Sequence, residues 1–224
     1  MTNAALRVLY SDNHLIALIK PPGLLTQTNH THNSSLIKET RQLIKEKYNK
    51  PGKVFLGMIH RLDRNVSGIV LFARTSKAAS RLSTQFRKRT PKKYYKAIVL
   101  GKPKEKHAKL VHYLRKEKSL KATVFPRETP NTKYSELLYS VIESFEKKSI
   151  LEISLLTGRF HQIRAQMAFI GHPILGDKKY GAPNALANKE IALHAYKLVF
   201  EHPISLKKIV LTSAEPKNWP QLKI

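Results

Sequence analysis

Apolar positions along the chain fall in short runs that follow two periods. Residues 6–19 predict two short strands around the turn Ser11-Asp12-Asn13. The second strand, His14 to Ile19, is a near-continuous apolar run that stops at Lys20-Pro21-Pro22-Gly23. Residues 35–48 predict a helix, with Leu36, Leu43 and Ile44 on one face and Asn49-Lys50-Pro51-Gly52 ending it. A short apolar run, Val54 to Ile59, leads into His60-Arg61-Leu62-Asp63, and a strand over Ile69 to Ala73 follows Gly68. Ser76 is the expected N-cap of a helix whose Ala79, Leu82 and Phe86 lie three and four apart, with Thr90-Pro91 as its end.

The second half alternates. Lys93 to Leu100 predicts a strand with Tyr95, Ala97 and Val99 on one face, and further strands are expected near 109–114, 120–125, 136–143 and 149–156. Thr157-Gly158 breaks this series. Phe160 to Ile170 predicts a helix with Phe160, Ile163, Met167 and Ile170 inward, stopped by Gly171-His172-Pro173. Late strands are expected at 191–200 and 207–212. No repeat, low-complexity linker or composition shift divides the chain. Many strands follow one another with no helix between them. The expectation is therefore one α/β domain of the α+β kind over residues 1–224, a mixed, mainly antiparallel sheet with flanking helices.

Composition narrows the chemistry. With 224 residues and 42% hydrophobic content a core is available, and a chain of this size buries roughly 70–75% of its unfolded surface. Cysteine is absent, which excludes disulfides, thiolate metal sites, iron–sulfur clusters and a cysteine nucleophile. No apolar run approaches the ~18 residues of a membrane span. The start MTNAALRVLYSDN lacks the basic-then-apolar pattern of a secretory signal, so a cytoplasmic protein is expected.

Charge points to a partner. Lys and Arg number 41 against 15 Asp and Glu, a net of +26. Solubility needs far less, and a field of this sign draws polyanions. Nucleic acid is preferred to an anionic membrane, because no basic amphipathic helix carries bulky apolar anchors. The charge is uneven: Arg87 to Lys121 holds 14 Lys or Arg against Glu105 and Glu117, a net of +12 in 35 residues.

Three places could carry chemistry. In His60-Arg61-Leu62-Asp63-Arg64-Asn65-Val66-Ser67-Gly68, a carboxylate sits between two strand-like runs with Arg61 and Arg64 beside it; a plain surface turn fits equally well. In Thr157-Gly158-Arg159-Phe160-His161-Gln162-Ile163-Arg164, His161 and Arg164 are three apart and share a helix face opposite the apolar stripe. An exposed polar face is the alternative there. Lys92-Lys93 precedes Tyr94-Tyr95 on a strand, where a tyrosine serves either packing or stacking on a base. No metal site is expected. The ten histidines form no HExxH pair, and His30-Thr31-His32 lies in a Thr/Asn-rich loop. The segment Gly176 to Gly181 reads as a turn, not a phosphate cradle.

Together these blocks resemble a known family. HRLDRNVSGIVLFA looks like the HRLD-x-x-TSG signature of the RluA-type pseudouridine synthases. LIALIKPPGLL resembles their early NKP-x-G turn, and KKYYKAIVLG their K-x-Y-x-A segment. LLTGRFHQIRAQMAFIGHPILGDKKYG resembles their GR-x-HQIR helix and GHPI-x-GD-x-x-YG loop, and IALHAYKLVFEHP their late LHA strand. The blocks keep family order over residues 6–212. Two departures stand out. Asn65-Val66 replaces a polar residue and Thr, which bears on rate more than on reaction type, and Ile19 replaces the Asn before the KP pair.

The resemblance implies the pseudouridine synthase catalytic fold and an isomerase acting on uridine in a ribosomal or transfer RNA stem–loop, without a cofactor. It implies that Asp63 is the nucleophile, that Tyr95 packs against the flipped base and is a candidate general base, and that Arg164 pairs with Asp63. Ile163 would be an apolar wall, and Arg61 would hold RNA once the uridine has left the stack. Arg159, His161, Lys92 and Lys93, in the matching blocks, are expected to bind RNA. The extra N-terminal RNA-binding domain of many relatives is not expected here; the catalytic domain is expected to find RNA through its own basic surface, and to be a monomer. The chemistry agrees: an ionised carboxylate is a nucleophile, burying it unpaired is costly, and a nearby arginine favours its charged form by ~1–3 pH units. The target atom lies inside a stack, so the nucleotide must flip out at a few kcal/mol. Two rivals remain, a non-catalytic RNA-binding protein and a ribonuclease using His60 and His161 as an acid–base pair.

Overall fold

Two strands of near-unbroken apolar sequence, β2 (Leu15–Lys20) and β4 (Ser67–Ala73), pair antiparallel from Leu15↔Ala73 to Lys20↔Gly68. Every residue of β4 is buried, which explains why its sequence does not alternate. The computed structural model describes residues 6–28, 34–187, 190–216 and 219–220, so His30 to His32 fall outside it. These residues group into two compact units, Met1–Pro91 with Tyr196–Glu215, and Lys92–Ala195 with Pro216–Ile224.

In the first unit β1 (Arg7–Ser11) borders β2, and Asp12, Asn13 and His14 connect them, one residue later than the expected Ser11-Asp12-Asn13 turn, because Ser11 still pairs with Ile16. Asp12 Oδ1 accepts from the His14 and Leu15 amides and thereby closes that turn. Helix α1 (Leu36–Lys47) begins at Ser35, whose side chain accepts from the Lys38 amide. The run 54–59 supplies only a two-residue strand, β3 (Gly57–Met58), against β4. Helix α2 (Ser76–Lys88) is capped by Thr75, not by Ser76 as expected: the Thr75 hydroxyl accepts from the Ala78 amide, and Ser76 is the first helical residue. Ala78 and Leu82 of α2 pack on Leu15, Ala17, Ile69, Leu71 and Ala73, with Leu198, Phe200 and Leu211 completing the core. The last three come from β10 (Leu193–Glu201) and β11 (Lys208–Thr212), an antiparallel pair. The chain crosses the boundary between units within β10.

The second unit is an antiparallel sheet in the order β5-β9-β8-β6-β7, built from β5 (Lys92–Leu100), β6 (His107–Lys116), β7 (Ala122–Phe125), β8 (Lys133–Ser144) and β9 (Lys148–Leu155). Helix α3 (Gln162–Phe169) covers it, with Ala165 against Leu114, Ala122 and Tyr180. Helix α3 is shorter than expected, because Phe160 and His161 precede it and His161 takes left-handed backbone, φ 52°. It is also not amphipathic: Gln162 to Met167 are all buried. Thus Arg164 lies in the interior, not on an exposed polar face, and His161 is not on the helix with it. The architecture is α+β with mainly antiparallel strands, as the pattern predicts. Among the described residues no helix is long and apolar enough to cross a membrane.

Candidate active site

In the first unit the loop between β3 and β4 carries Asp63. Leu62 and Val66 are buried, Asp63 is half-buried, and Arg61 and Arg64 are exposed. The Val66 amide donates to the Asp63 carbonyl at 3.2 Å, which closes the turn beneath the carboxylate-bearing residue. Val66 itself is 2% exposed and anchors the loop by apolar burial where the resemblance leads one to expect a hydroxyl. His60 fixes the entry: its Nε2 accepts from the Leu71 amide at 3.1 Å and its ring stacks on Phe86. That role differs from the acid–base role of the ribonuclease reading.

The turn after β2 closes on the same loop. The Gly23 amide donates to the Arg64 carbonyl at 2.8 Å, and Arg64 Nε returns a bond to the Gly23 carbonyl at 3.0 Å. Gly23 has φ +84°, a left-handed conformation that glycine adopts without strain. Lys20 is fully buried at the end of β2. Its Nζ donates to the carbonyls of Pro21, Leu24 and Arg64 at 2.8–3.0 Å, one for each N–H of an ammonium. Burial pushes this amine down to about 7, the Asp63 charge acts to raise it, and Arg64 lowers it further. Sequence reasoning treated Lys20 only as the end of a strand.

In the second unit Tyr95 is buried on β5, opposite Ile153 of β9. Lys92 is exposed. Lys93 runs beside Gly158, and its Nζ is 3.6 Å from where a Cβ on Gly158 would stand. Arg159 donates from Nε to the Tyr134 carbonyl at 2.8 Å. His161 stacks on Phe160 at 3.9 Å and meets the Tyr180 hydroxyl through Nδ1 at 3.0 Å. Gln162 holds this corner: its Oε1 accepts from the Thr157 hydroxyl and the Arg159 amide, and its Nε2 donates to the Glu136 carbonyl and to Gln166. Ile163 is buried beside it.

Arg164 is 4% exposed. It forms a bidentate ion pair with Asp177, with its guanidinium 5.0 Å from the Tyr180 ring. The Tyr180 hydroxyl accepts from the Ala122 amide at 2.7 Å. Asp177 and Tyr180 belong to the Gly176–Gly181 segment, which is the expected turn, with a short 3-10 helix over Lys178–Tyr180. Sequence reasoning missed Asp177 as the partner of Arg164; the Gly-Asp pair in the GHPI-x-GD-x-x-YG block was the available signal. Among the described residues no group of three or more His, Asp or Glu side chains could hold a metal ion.

These local arrangements sit in the motifs that carry the family resemblance, and comparison with known proteins gives the same answer. The family model described as RNA pseudouridylate synthase matches residues 14–169, and the chain belongs to that family. It is 34% identical over 202 residues to the ribosomal large subunit pseudouridine synthase C of Vibrio parahaemolyticus, covering 88% of this chain and 61% of that protein. It is also 34% identical over 209 residues to the dual-specificity RNA pseudouridine synthase RluA of Pasteurella multocida, covering 91% of this chain and 90% of that one. The chain thus spans about three fifths of the large-subunit synthase it matches. Its fold is similar to the human RNA pseudouridylate synthase domain containing 4, with TM-score 0.80 and 23% identity over 95% of this chain and 90% of that one.

Proposed function

We propose that this protein isomerises uridine to pseudouridine in structured RNA, with Asp63 as nucleophile. The N1–C1′ bond breaks, the base turns without leaving, a C5–C1′ bond forms, and the proton lost from C5 is balanced by one gained at N1. No electron is exchanged with an outside partner. The observation that carries the reading is the Asp63 turn: the peptides before and after the carboxylate-bearing residue are held by hydrogen bonds, and its charge acts on the buried Lys20 amine. A nucleophile benefits from such fixing because orientation removes entropy from the barrier.

The other roles follow by motif. Tyr95 packs against the flipped base and serves as general base, Arg164, held by Asp177, is the arginine that the motif assigns to keeping the nucleophile ionised, and Ile163 lines the base site. Arg61, Arg159, His161, Lys92 and Lys93 hold RNA. The substrate class is a stem–loop of ribosomal or transfer RNA, which agrees with the names of the two relatives and with the +26 net charge. The two units act as one catalytic domain, as a monomer in the cytoplasm, without a cofactor.

The test maps pseudouridine, by carbodiimide labelling and reverse transcription, in unmodified ribosomal and transfer RNA transcripts incubated with the purified protein. New pseudouridine with wild type and none with Asp63→Asn supports the reading. RNA binding with no pseudouridine on either class overturns it in favour of a non-catalytic RNA-binding protein.

A further inference from the structure

The loop that carries Asp63 is not fixed by a sheet ladder at Leu62, the residue just before it. Leu62 is 7% exposed, and its buried backbone needs partners. Both come from one atom. Thr26 Oγ1 accepts from the Leu62 amide at 3.2 Å and donates to the Leu62 carbonyl at 2.9 Å. A hydroxyl can do this because the same oxygen both donates and accepts. Thr26 is itself 3% exposed and held from behind. The Leu25 and Thr26 carbonyls accept from the Leu36 and Ile37 amides, two of the N–H groups that the first turn of α1 leaves without intrahelical partners. A chain of short bonds therefore runs from α1 through Thr26 to the peptide that leads into Asp63. On the far side of Asp63, Gly23 and Lys20 hold Arg64 in the same way.

We propose that Thr26 is a positioning residue for the reaction: its hydroxyl sets the backbone at Leu62 and so the direction in which the Asp63 carboxylate points. This rests on the reading of Asp63 as nucleophile. Thr26 touches neither the uridine nor the carboxylate. It fixes the peptide before Asp63 from one side while the Arg64 carbonyl is fixed from the other, and it acts through the chain.

Thr26→Val keeps the shape and removes the hydroxyl, Thr26→Ala removes it with less bulk, and Thr26→Ser keeps it. Turnover is read as tritium released from C5 of a large-subunit ribosomal RNA transcript made with 5-tritiated uridine. The Leu62 amide is followed by hydrogen exchange in the RNA-free proteins. Thr26→Val and Thr26→Ala should lower kcat by about 30- to 100-fold, the scale of a ~1 Å misplacement, with KM within about twofold of wild type. Thr26→Ser should stay within about threefold of wild-type kcat. The Leu62 amide should be protected in wild type and Thr26→Ser and should exchange fast in the other two. Loss of stability alone, with kcat kept in folded Thr26→Val, overturns the proposal, and so does a Leu62 amide protected equally in all four proteins. If wild type releases no tritium, the assigned reaction has failed on this RNA, while the exchange measurement still decides whether Thr26 holds the loop.

Discussion

Arg164 and Asp177 meet through two parallel hydrogen bonds, Nε to Oδ2 at 2.7 Å and Nη2 to Oδ1 at 2.8 Å, with side chains 5% and 1% exposed. Two bonds in one plane fix the guanidinium in orientation as well as in place. The arginine of the HQIR segment is thus set by a residue in the turn that follows its helix. Nη1 lies outside this pair.

Breaking that pair should cost stability. Asp177→Ala removes the two bidentate bonds of a buried guanidinium, and Arg164→Met leaves a buried carboxylate without them. Each should lose about 3–5 kcal/mol in equilibrium urea unfolding. Arg164→Met combined with Asp177→Leu should recover much of the loss and remain inactive on RNA. Strict additivity of the two single effects would show that the side chains are not coupled.

Asp63→Asn should remove the reaction and leave the fold. Pseudouridine formation should drop at least about a thousandfold, equivalent to about 4 kcal/mol of transition-state stabilisation. RNA affinity and the urea midpoint should stay near wild type, since Asp63 is half-buried. Single-turnover assays with saturating enzyme separate the loss of chemistry from loss of binding.

Lys20 gives a pH dependence of defined sign. Its amine is pushed down to about 7 in the folded protein from 10.5, by burial first. Between those values the unfolded chain holds a proton that the folded chain has released. Stability therefore rises with pH across this window, by at most about 1.4 kcal/mol per unit. The difference in unfolding free energy between wild type and Lys20→Met should grow in favour of wild type from pH 7 to 9.5. A constant difference would mean that the three carbonyls keep the ammonium charged throughout.

RNA binding should weaken steeply with salt, and the β6–β7 hairpin should carry part of the slope. Lys116, Lys118 and Lys121 are exposed there, with Lys116 over Phe160 and Lys121 over Tyr180, beside the elements that hold Arg164. Each phosphate contact on single-stranded RNA contributes roughly −0.7 to the slope of log K against log salt, so replacing all three with Gln should make it shallower by about 2. Lys109 is a control: it is already paired with Glu136 at 2.6 Å, and Lys109→Gln should change the slope little.

Local signals in the sequence located most elements. The helix over 35–48, the unbroken apolar runs of β2 and β4 and the strand near 149–156 are each legible from a few neighbouring residues. Asp63, Tyr95 and Arg164 were legible as candidates because their motifs are contiguous. What supports them was not. Thr26 and Leu62 are 36 residues apart, and Lys20 and Arg64 are 44 apart, so their bonds exist only once the first unit has folded. The pattern puts the cap of α2 at Ser76, but the cap is Thr75, one residue earlier, whose extended backbone lets its hydroxyl accept from the Ala78 amide. A helix buried on several sides has no polar stripe to read, so the pattern put Arg164 on an exposed face and started α3 two residues early.

The burial of α3 also governs when the site can exist. Eight residues are too few to stay helical alone in water, since nucleation fixes several dihedrals for each first bond. This helix also begins at a left-handed residue with no side-chain cap to start it. Its order is borrowed from the sheet beneath, and that sheet closes through pairings between distant segments, such as β5 with β9. During synthesis, Arg164 can therefore take its place only after β9 has paired and the Asp177 turn has left the ribosome. A half-made chain carries the arginine but not its orientation. A synthetic peptide over 157–181 should accordingly show no helical circular dichroism in buffer.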